Sequence, residues 1–384
     1  MKSYKQIIIN LTHNCNLSCD YCYYNSTMQR DPSFISVKYL ENIIKWISKS
    51  KFEDFIIILH GGEPLTLNIS YYKSLIRFEN KYLANKKYIN MIQTNGVLLK
   101  KEFVDFIDDV NCNGGNFSIG ISLDGSKEIH DYYRKFLSGN GSFEKIMKNI
   151  ELLQRKNMEF SILSVLSDNT VKYLKTYYSF FKSITGMKSL NLLAALHDDK
   201  PMISVSNLRR ILIKTFHEWI NDEEATFNIQ LFSAIISNIL GINSFGYGHC
   251  SLTESCFKSG NFISIEPDGN ITLCDTLPNK VIGNISKDNI DPMFSLKGLR
   301  RKFIQEEYES KSECYFCKWN NICNGGCPSY SLNKNILCPS YISLFEEIYE
   351  YTQSTISLNN NAIGRYSMIK NPVLKNMLES YMYS

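Results

Sequence analysis

The chain has 384 residues, 44% of them hydrophobic, and a formal net charge of +4 at pH 7. That length allows two or three domains with packed cores, and scattered rather than clustered lysines and arginines argue against a nucleic-acid groove. The opening MKSYKQIIIN run is too short for a signal-peptide core and no stretch is long and apolar enough to span a bilayer, so a cytoplasmic protein with no membrane partner is expected.

Short β-branched runs alternate with amphipathic segments through the first half. Strands are expected at Gln6–Asn10, Phe55–His60, Tyr88–Gln93, Phe117–Leu123, Phe160–Leu166 and Ser189–Leu193. Helical patterns fall near Val37–Ser50, Tyr71–Leu83, Lys101–Asp109, Phe143–Lys156 and Val171–Lys182. The run FIIIL at Phe55–Leu59 has no polar alternation, as expected when helices cover both faces of a parallel sheet. Six strands with alternating helices predict an α/β fold, an open or partial (β/α)6 barrel, with its chemistry at the carboxyl ends of the strands. Beyond it, Met202–Leu240 looks helical. Phe262–Ile265 and Ile271–Leu273 flank the turn Glu266-Pro267-Asp268-Gly269-Asn270 and read as a hairpin. Tyr341–Ser354 should form a helix, and Ser357–Ser384 carries no functional signal.

The twelve cysteines are unevenly placed: Cys15, Cys19 and Cys22, then Cys112 alone, then eight from Cys250 to Cys338. A reducing compartment excludes a disulfide framework, so the two groups read as metal sites, with Cys112 an ordinary free thiol. CNLSCDYC places three thiolates on one short loop. Structural zinc usually takes four protein ligands. A 4Fe–4S cluster held by three cysteines keeps one iron open for a small molecule. Zinc or a chance cluster is the competing reading.

This C-x3-C-x-aromatic-C pattern resembles the radical S-adenosylmethionine (SAM) family, and the fold it implies is a partial (β/α)6 TIM-like barrel. The resemblance implies reductive cleavage of SAM to a 5′-deoxyadenosyl radical, with the methionine amino and carboxylate groups on the open iron. His60-Gly61-Gly62-Glu63-Pro64 resembles the family's GGEP motif: Gly62 permits close backbone approach and Glu63 would accept the SAM ammonium. A plain tight turn is the alternative. Gln93-Thr94-Asn95-Gly96 would line the SAM pocket, although alone it could be a turn. By the same resemblance Ser122 and Arg134 would contact the ribose and carboxylate of SAM; a surface arginine is the other view of Arg134. Tyr21 would pack near the adenine or serve as a core tyrosine. His130 and Asp131 match the family pattern and receive no role.

The C-terminal cysteines contain the core C-x2-C-x5-C-x3-C from Cys314 to Cys327 with a final Cys338, and resemble the SPASM domain. Eight cysteines suffice for two fully ligated 4Fe–4S clusters, with a pair of zinc ribbons as the alternative. The family's crossed ligation implies Cys250, Cys256, Cys274 and Cys327 at a nearer auxiliary cluster, and Cys314, Cys317, Cys323 and Cys338 at a farther one. Full ligation suits electron movement rather than substrate binding. Asp275, immediately after Cys274, is the expected base that takes a substrate proton as the radical is oxidised, a role supported by resemblance to anaerobic sulfatase-maturating enzymes. A turn aspartate capping a backbone amide is the alternative.

The expected division is 1–200 barrel, 201–248 helical linker, 249–345 SPASM domain, and 346–384 terminal helix and tail. The expected activity is that of a radical SAM/SPASM oxidoreductase: hydrogen abstraction from a peptide or protein side chain, then two-electron oxidation through the auxiliary clusters. The expected electron donor is a low-potential protein of the flavodoxin or ferredoxin kind. A maturase of ribosomally made peptides is favoured. Sulfatase maturation to formylglycine comes second, because Gly325-Gly326-Cys327-Pro328-Ser329-Tyr330 lacks the basic residues many such relatives carry there. The short segment before Cys15 is expected to leave no room for a peptide-recognition domain. The reading from another class is a non-catalytic iron–sulfur or zinc binding module.

Overall fold

The computed structural model describes residues 4–23, 33–197, 200–242, 252, 256–310, 312–330, 336–355 and 368–382. The chain divides into two compact units. The first comprises Met1–Ser122, Arg134–Glu159 and Glu254–Glu306; the second comprises Leu123–Tyr133, Phe160–Thr253 and Glu307–Ser384.

The strands in chain order are β1 (Lys5–Thr12), β2 (Leu17–Cys19), β3 (Asp54–Gly61), β4 (Lys87–Thr94), β5 (Phe117–Ser122), β6 (Arg134–Phe136) and β7 (Phe160–Leu166). They continue as β8 (Met187–Ala194), β9 (Leu196–His197), β10 (Lys200–Pro201), β11 (Asn228–Ile229), β12 (Phe262–Ile265), β13 (Asn270–Thr272) and β14 (Val281–Asn284).

In the first unit the strand order is β5-β4-β3-β1-β12-β13-β14. From β5 through to β12 neighbours run parallel, and β12-β13-β14 continue antiparallel. Ile7, Ile9, Phe55, Ile57 and Leu59 are fully buried on one face, and Ile8 and Ile56 are buried on the other, which is why these runs carry no polar alternation. The covering helices start where the sequence offers a cap. The Ser36 hydroxyl accepts from Tyr39 N at 3.2 Å to begin Val37–Ser48, and the Asn68 amide accepts from Tyr71 N at 3.2 Å to begin Ile69–Tyr82. Each such cap stabilises its helix by about 1 kcal/mol. The helix faces then bury Leu40, Ile43, Ile44 and Ile47, and Tyr71, Tyr72, Leu75 and Phe78.

All six expected barrel strands form, each within a few residues of its predicted ends. The hairpin also forms, but not as an isolated element: β12 adds in parallel to β1, with Gln6 opposite Phe262 and Ile9 opposite Ile265. The C-terminal hairpin therefore extends the sheet begun by the first strand. A separate two-stranded ladder, β2 against β6, went unpredicted.

In the second unit β11, β8 and β7 run parallel, and β9 pairs antiparallel with β10. Two helical expectations are corrected here. Val171–Lys182 is not one helix but Asp168–Lys172 followed by Tyr177–Lys182, because the Thr176 hydroxyl returns to the Tyr173 carbonyl at 3.2 Å and closes the first segment. Met202–Leu240 is also interrupted. Val205–Ile220 ends at Asn221, β11 intervenes, and Gln230–Ile239 follows. The break is fixed by Trp219 Nε1 donating to Phe227 O at 3.0 Å. The expected terminal helix spans Cys338–Thr355, and the tail adds an unpredicted helix, Pro372–Met382. Buried Asn371 starts it, accepting from Leu374 N at 2.9 Å and donating to Trp219 O at 2.6 Å. Among the described residues no helix is long and apolar enough to cross a membrane.

Candidate functional site

The three leading cysteines lie in the first unit, where the chain leaves β1. Cys15, Cys19 and Cys22 are free thiols of intermediate exposure. Leu17 N and Asn95 Nδ2 approach the Cys15 sulfur at 3.5 and 3.7 Å, and Asn95 Nδ2 also donates to Asn16 Oδ1 at 2.8 Å. Cys22 N donates to Cys19 O at 3.1 Å, closing a turn. The loop rests on the glycine pair after β3. Gly62 N donates to Thr12 O and Glu63 N to Asn14 O, each at 2.7 Å. A Cβ on Gly62 would overlap the carbonyl oxygens of His13 and Asn14, so the close approach needs glycine.

Burial pushes the Cys15 thiol up to about 11, opposed by the Leu17 amide. A thiol that burial keeps protonated, yet with N–H donors aimed at its sulfur, suits a ligand whose charge bound iron would neutralise. Among the described residues no three metal-binding side chains close on a single-ion site. A four-iron cluster makes no such demand, since each thiolate takes a different iron. The donor set fits the cluster.

Around this loop the structure gathers the remaining expected SAM residues. Glu63 is fully buried. Its Oε1 accepts from Leu65 N at 2.9 Å and Thr94 Oγ1 at 2.6 Å, and its Oε2 from Asn95 N at 2.7 Å. Burial raises its pKa, opposed by these bonds and by the charge of Arg134. Glu63 therefore caps the tight turn Pro64–Thr66, the plain-turn alternative, and its Oε2, which accepts from Asn95 N, has capacity for a further donor. Arg134 is buried, with its guanidinium 5.3 Å from the centroid of the buried Tyr21 ring. It is not a surface arginine. Gln93 Nε2 donates to Ser122 Oγ at 3.2 Å, linking the ends of β4 and β5. Asn95 reaches the cluster loop itself. His130 and Asp124 belong to the second unit, where Asp124 N donates to His130 Nδ1 at 3.3 Å.

Asp275 also lies in the first unit, after β13. Tyr23 Oη donates to its Oδ2 at 2.9 Å, and Cys274 Sγ lies 3.1 Å from its Oδ1. His60 Nδ1 is 4.0 Å from Oδ2 and, though buried, has no hydrogen-bond partner among the described residues. Burial lowers the His60 pKa against the opposing pull of Asp275 and Glu266, so the imidazole is neutral at pH 7. Beside it, Glu266 in the hairpin turn accepts from Asn10 Nδ2 at 2.8 Å and meets His13 Nε2 at 3.3 Å, while Ser33 Oγ lies 3.1 Å from His13 Nδ1. Glu266 so ties the hairpin to the loop carrying Cys15. Sequence reasoning assigned nothing to Tyr23, His60, His13 or Glu266. Two signals were present: Tyr23 follows Cys22 directly, and His60 opens the HGGEP run.

Of the C-terminal cysteines, Cys256 and Cys274 belong to the first unit and pack against one apolar cluster of Ile8, Phe257, Phe262 and Leu273. Cys314, Cys317, Cys323, Cys327 and Cys338 belong to the second. There, Cys317 N donates to Cys314 O at 3.2 Å, and Asn324, Gly325 and Gly326 take positive φ of 51°, 73° and 72°. Three such residues in succession explain the NGG that precedes Cys327. Cys250 lies outside the described residues. Cys112 is exposed at the end of its helix.

Comparison with known proteins agrees with this architecture. The radical SAM superfamily model matches residues 9–181, and that of the SPASM iron–sulfur cluster-binding domain matches 256–319. The chain belongs to the radical SAM superfamily and carries a SPASM domain; its fold is the partial TIM-like barrel of that superfamily, and it is an enzyme that uses SAM and 4Fe–4S clusters. It is 31% identical to a cysteine-type anaerobic sulfatase-maturating enzyme of Clostridium novyi, over 90% of this chain and 96% of that one. It is 29% identical to a serine-type anaerobic sulfatase-maturating enzyme of Bacteroides thetaiotaomicron, over 88% and 87%. Among solved structures it resembles anSMEcpe with bound AdoMet, at a TM-score of 0.80 and 26% identity, over 91% of this chain and 98% of that one. The same enzyme with AdoMet and the Cp18Cys peptide aligns at 0.77. Streptococcus suis SuiB bound to its precursor peptide SuiA aligns at 0.62 with 16% identity, over 87% and 75%, a likeness of fold alone.

Proposed function

We propose that this enzyme oxidises a side chain of a peptide or protein, and that its substrate residue is a cysteine or serine converted to formylglycine. The observation that carries the reading is Asp275, directly after Cys274 and held by Tyr23, with the neutral His60 beside it. The ordering expected from the sequence is thereby reversed. Likeness across nearly the whole chain to sulfatase-maturating enzymes of both substrate types supports this reading, whereas peptide maturation of the SuiB kind has only a shared fold behind it. The non-basic Gly325–Tyr330 segment keeps peptide maturation as the second reading.

Cys15, Cys19 and Cys22 would hold the SAM-binding cluster, which with SAM supplies a hydrogen-atom acceptor when bound. Gly62 gives the loop its close approach, Glu63 receives the ammonium, and Arg134 the carboxylate. Gln93, Ser122 and Tyr21 border the nucleoside, and Asn95 holds Cys15. The substrate Cβ gives up a hydrogen atom and its thiol or hydroxyl gives a proton to Asp275. Cys250, Cys256, Cys274 and Cys327 would hold an auxiliary cluster able to accept the remaining electron. This leaves serine as the aldehyde and cysteine as a thioaldehyde, which water hydrolyses to the aldehyde with release of hydrogen sulfide. Cys314, Cys317, Cys323 and Cys338 would hold a farther cluster able to carry that electron outward, and a low-potential protein of the flavodoxin or ferredoxin kind would donate the electron that SAM cleavage needs. We assign residues 1–200 to the barrel, 201–248 to a helical connection, 249–345 to the SPASM domain and 346–384 to the terminal helices, in a cytoplasmic protein.

The test is anaerobic reconstitution with iron, sulfide, SAM and reductant, then mass spectrometry of peptides spanning a sulfatase's active-site cysteine or serine. Aldehyde formation on either is expected. SAM cleavage with both peptides unchanged would remove sulfatase maturation and leave the second reading.

A further inference from the structure

Arg300 occupies the first turn of the helix Gly298–Ser310 and is only 2% exposed. Its guanidinium is spent on backbone. Nη1 donates to Phe257 O at 2.5 Å, and Nη2 donates to Phe262 O at 3.0 Å and Met293 O at 2.6 Å, while buried Nε has no partner among the described residues. No carboxylate pairs with it among the described residues. Removing an unpaired guanidinium from water costs several kcal/mol, which carbonyl dipoles offset only in part. Such a charge is stabilised further by an anion placed beside it.

Two of the three carbonyls belong to Phe257, adjacent to Cys256, and Phe262, at the start of β12. Phe257 and Phe262 are members of the apolar cluster that Cys256 and Cys274 pack against, as do Phe303 and Ile304 from the helix that carries Arg300. The cation is thus built into the wall behind two of the cysteines assigned to the nearer auxiliary cluster.

We infer that Arg300 is the buried counter-charge of the Cys256/Cys274 cluster and sets its reduction potential. This rests on the cluster assignment above. A 4Fe–4S cluster with four thiolates is anionic in both states and carries one more negative charge when reduced, so a fixed cation nearby favours the reduced state and raises the potential. The step served is uptake of one electron by the oxidised cluster, after the substrate has lost its hydrogen atom and proton. Arg300 touches neither substrate nor iron; it acts through the field it places on the cluster.

The experiment is an EPR-monitored redox titration of the full, anaerobically reconstituted chain, with Cys256→Ala and Cys274→Ala used to identify the signal of this cluster. Arg300→Gln should move that one signal to lower potential, by at least a tenfold change in reduced-to-oxidised ratio at fixed ambient potential, or 59 mV for one electron. The other signals should stay in place. Arg300→Lys keeps the charge but loses the fork that spans three carbonyls, so it should hold the cluster near the wild-type potential. An unmoved or raised potential in Arg300→Gln overturns the inference, as do equal shifts in every cluster. If Arg300→Gln fails to hold iron, Arg300→Lys decides: assembly at near wild-type potential supports a charge role, and failure like that of glutamine assigns Arg300 to backbone capping only. If neither cysteine variant removes a signal, it is the cluster assignment that fails, and the inference with it.

Discussion

Arg134 stands directly opposite Cys19 across the antiparallel ladder that joins β2 to β6. The ladder carries a buried cation to the edge of the loop bearing all three leading cysteines, and Ser142 Oγ fixes it from behind by donating to Arg134 O at 2.9 Å. The arginine comes from beyond the fifth strand, and this pairing brings it to a site built at the ends of the first, third and fourth strands.

Replacing Arg134 by lysine should weaken SAM binding, because a point charge cannot reproduce the two-pronged donor set facing a carboxylate. A lost charge-assisted bond of roughly 1.5–3 kcal/mol corresponds to about a 10- to 150-fold rise in dissociation constant. Equilibrium binding to the reconstituted protein measures this. Glu63→Ala should lower affinity similarly but also lower the melting temperature, since it orphans the donors of Leu65, Thr94 and Asn95. Affinity equal to wild type in both variants would place the methionine end of SAM elsewhere.

Iron content separates the sites. Three four-iron clusters require about twelve iron atoms per chain. Converting Cys15, Cys19 and Cys22 to alanine should remove about a third and abolish SAM cleavage. Gly62→Ala should mimic that loss with every cysteine intact, because its Cβ collides with the His13 and Asn14 carbonyls. Full iron in Gly62→Ala would show that the loop tolerates displacement.

Asp275→Asn should still cleave SAM and keep its clusters, while product formation falls by roughly the 10²–10⁴-fold typical of losing a general base. Tyr23→Phe removes the hydroxyl that orients the carboxylate and should give a smaller loss in the same direction. Deuterium from the substrate Cβ should still reach 5′-deoxyadenosine in both. Normal turnover by Asp275→Asn would leave the residue as a turn aspartate.

Away from the site, fully buried Glu79 accepts from Asn90 Nδ2 at 2.9 Å, and burial pushes its carboxyl up to about 8 from an ordinary 4.5. The protonated carboxyl is the form the fold prefers. Its contribution is complete below about pH 4.5 and is lost as pH rises through about 8. Glu79→Gln should therefore melt higher than wild type at pH 9, with the advantage shrinking or reversing near pH 5. A pH-independent difference in thermal melts would contradict this.

The barrel strands were legible because runs such as Phe55–Leu59 and Phe160–Leu166 state burial directly, and the cysteine loop because its spacing is chemistry written in sequence. What stayed hidden depends on distant pairing. Nothing local in Leu17–Cys19 names Arg134 as a partner, and nothing in Phe262–Ile265 names Gln6–Ile9. Asn95 reads as one residue of a turn, and only the fold shows its amide between Cys15 and Asn16. Thr176 divides a helix that amphipathic periodicity alone leaves whole.

The parallel pairing of β12 with β1 has a bearing on biosynthesis. Ile7, Ile8 and Ile9 leave the ribosome well before Phe262 is made, and Phe262 begins the strand that covers one of their flanks. At 5–20 residues per second the delay is on the order of ten to fifty seconds. Throughout it, a nascent chain carries an isoleucine-rich edge open to pairing with another nascent chain. Chains released before Ile265 would keep that edge permanently, so premature termination anywhere in the middle of the message yields aggregating fragments rather than a smaller working barrel.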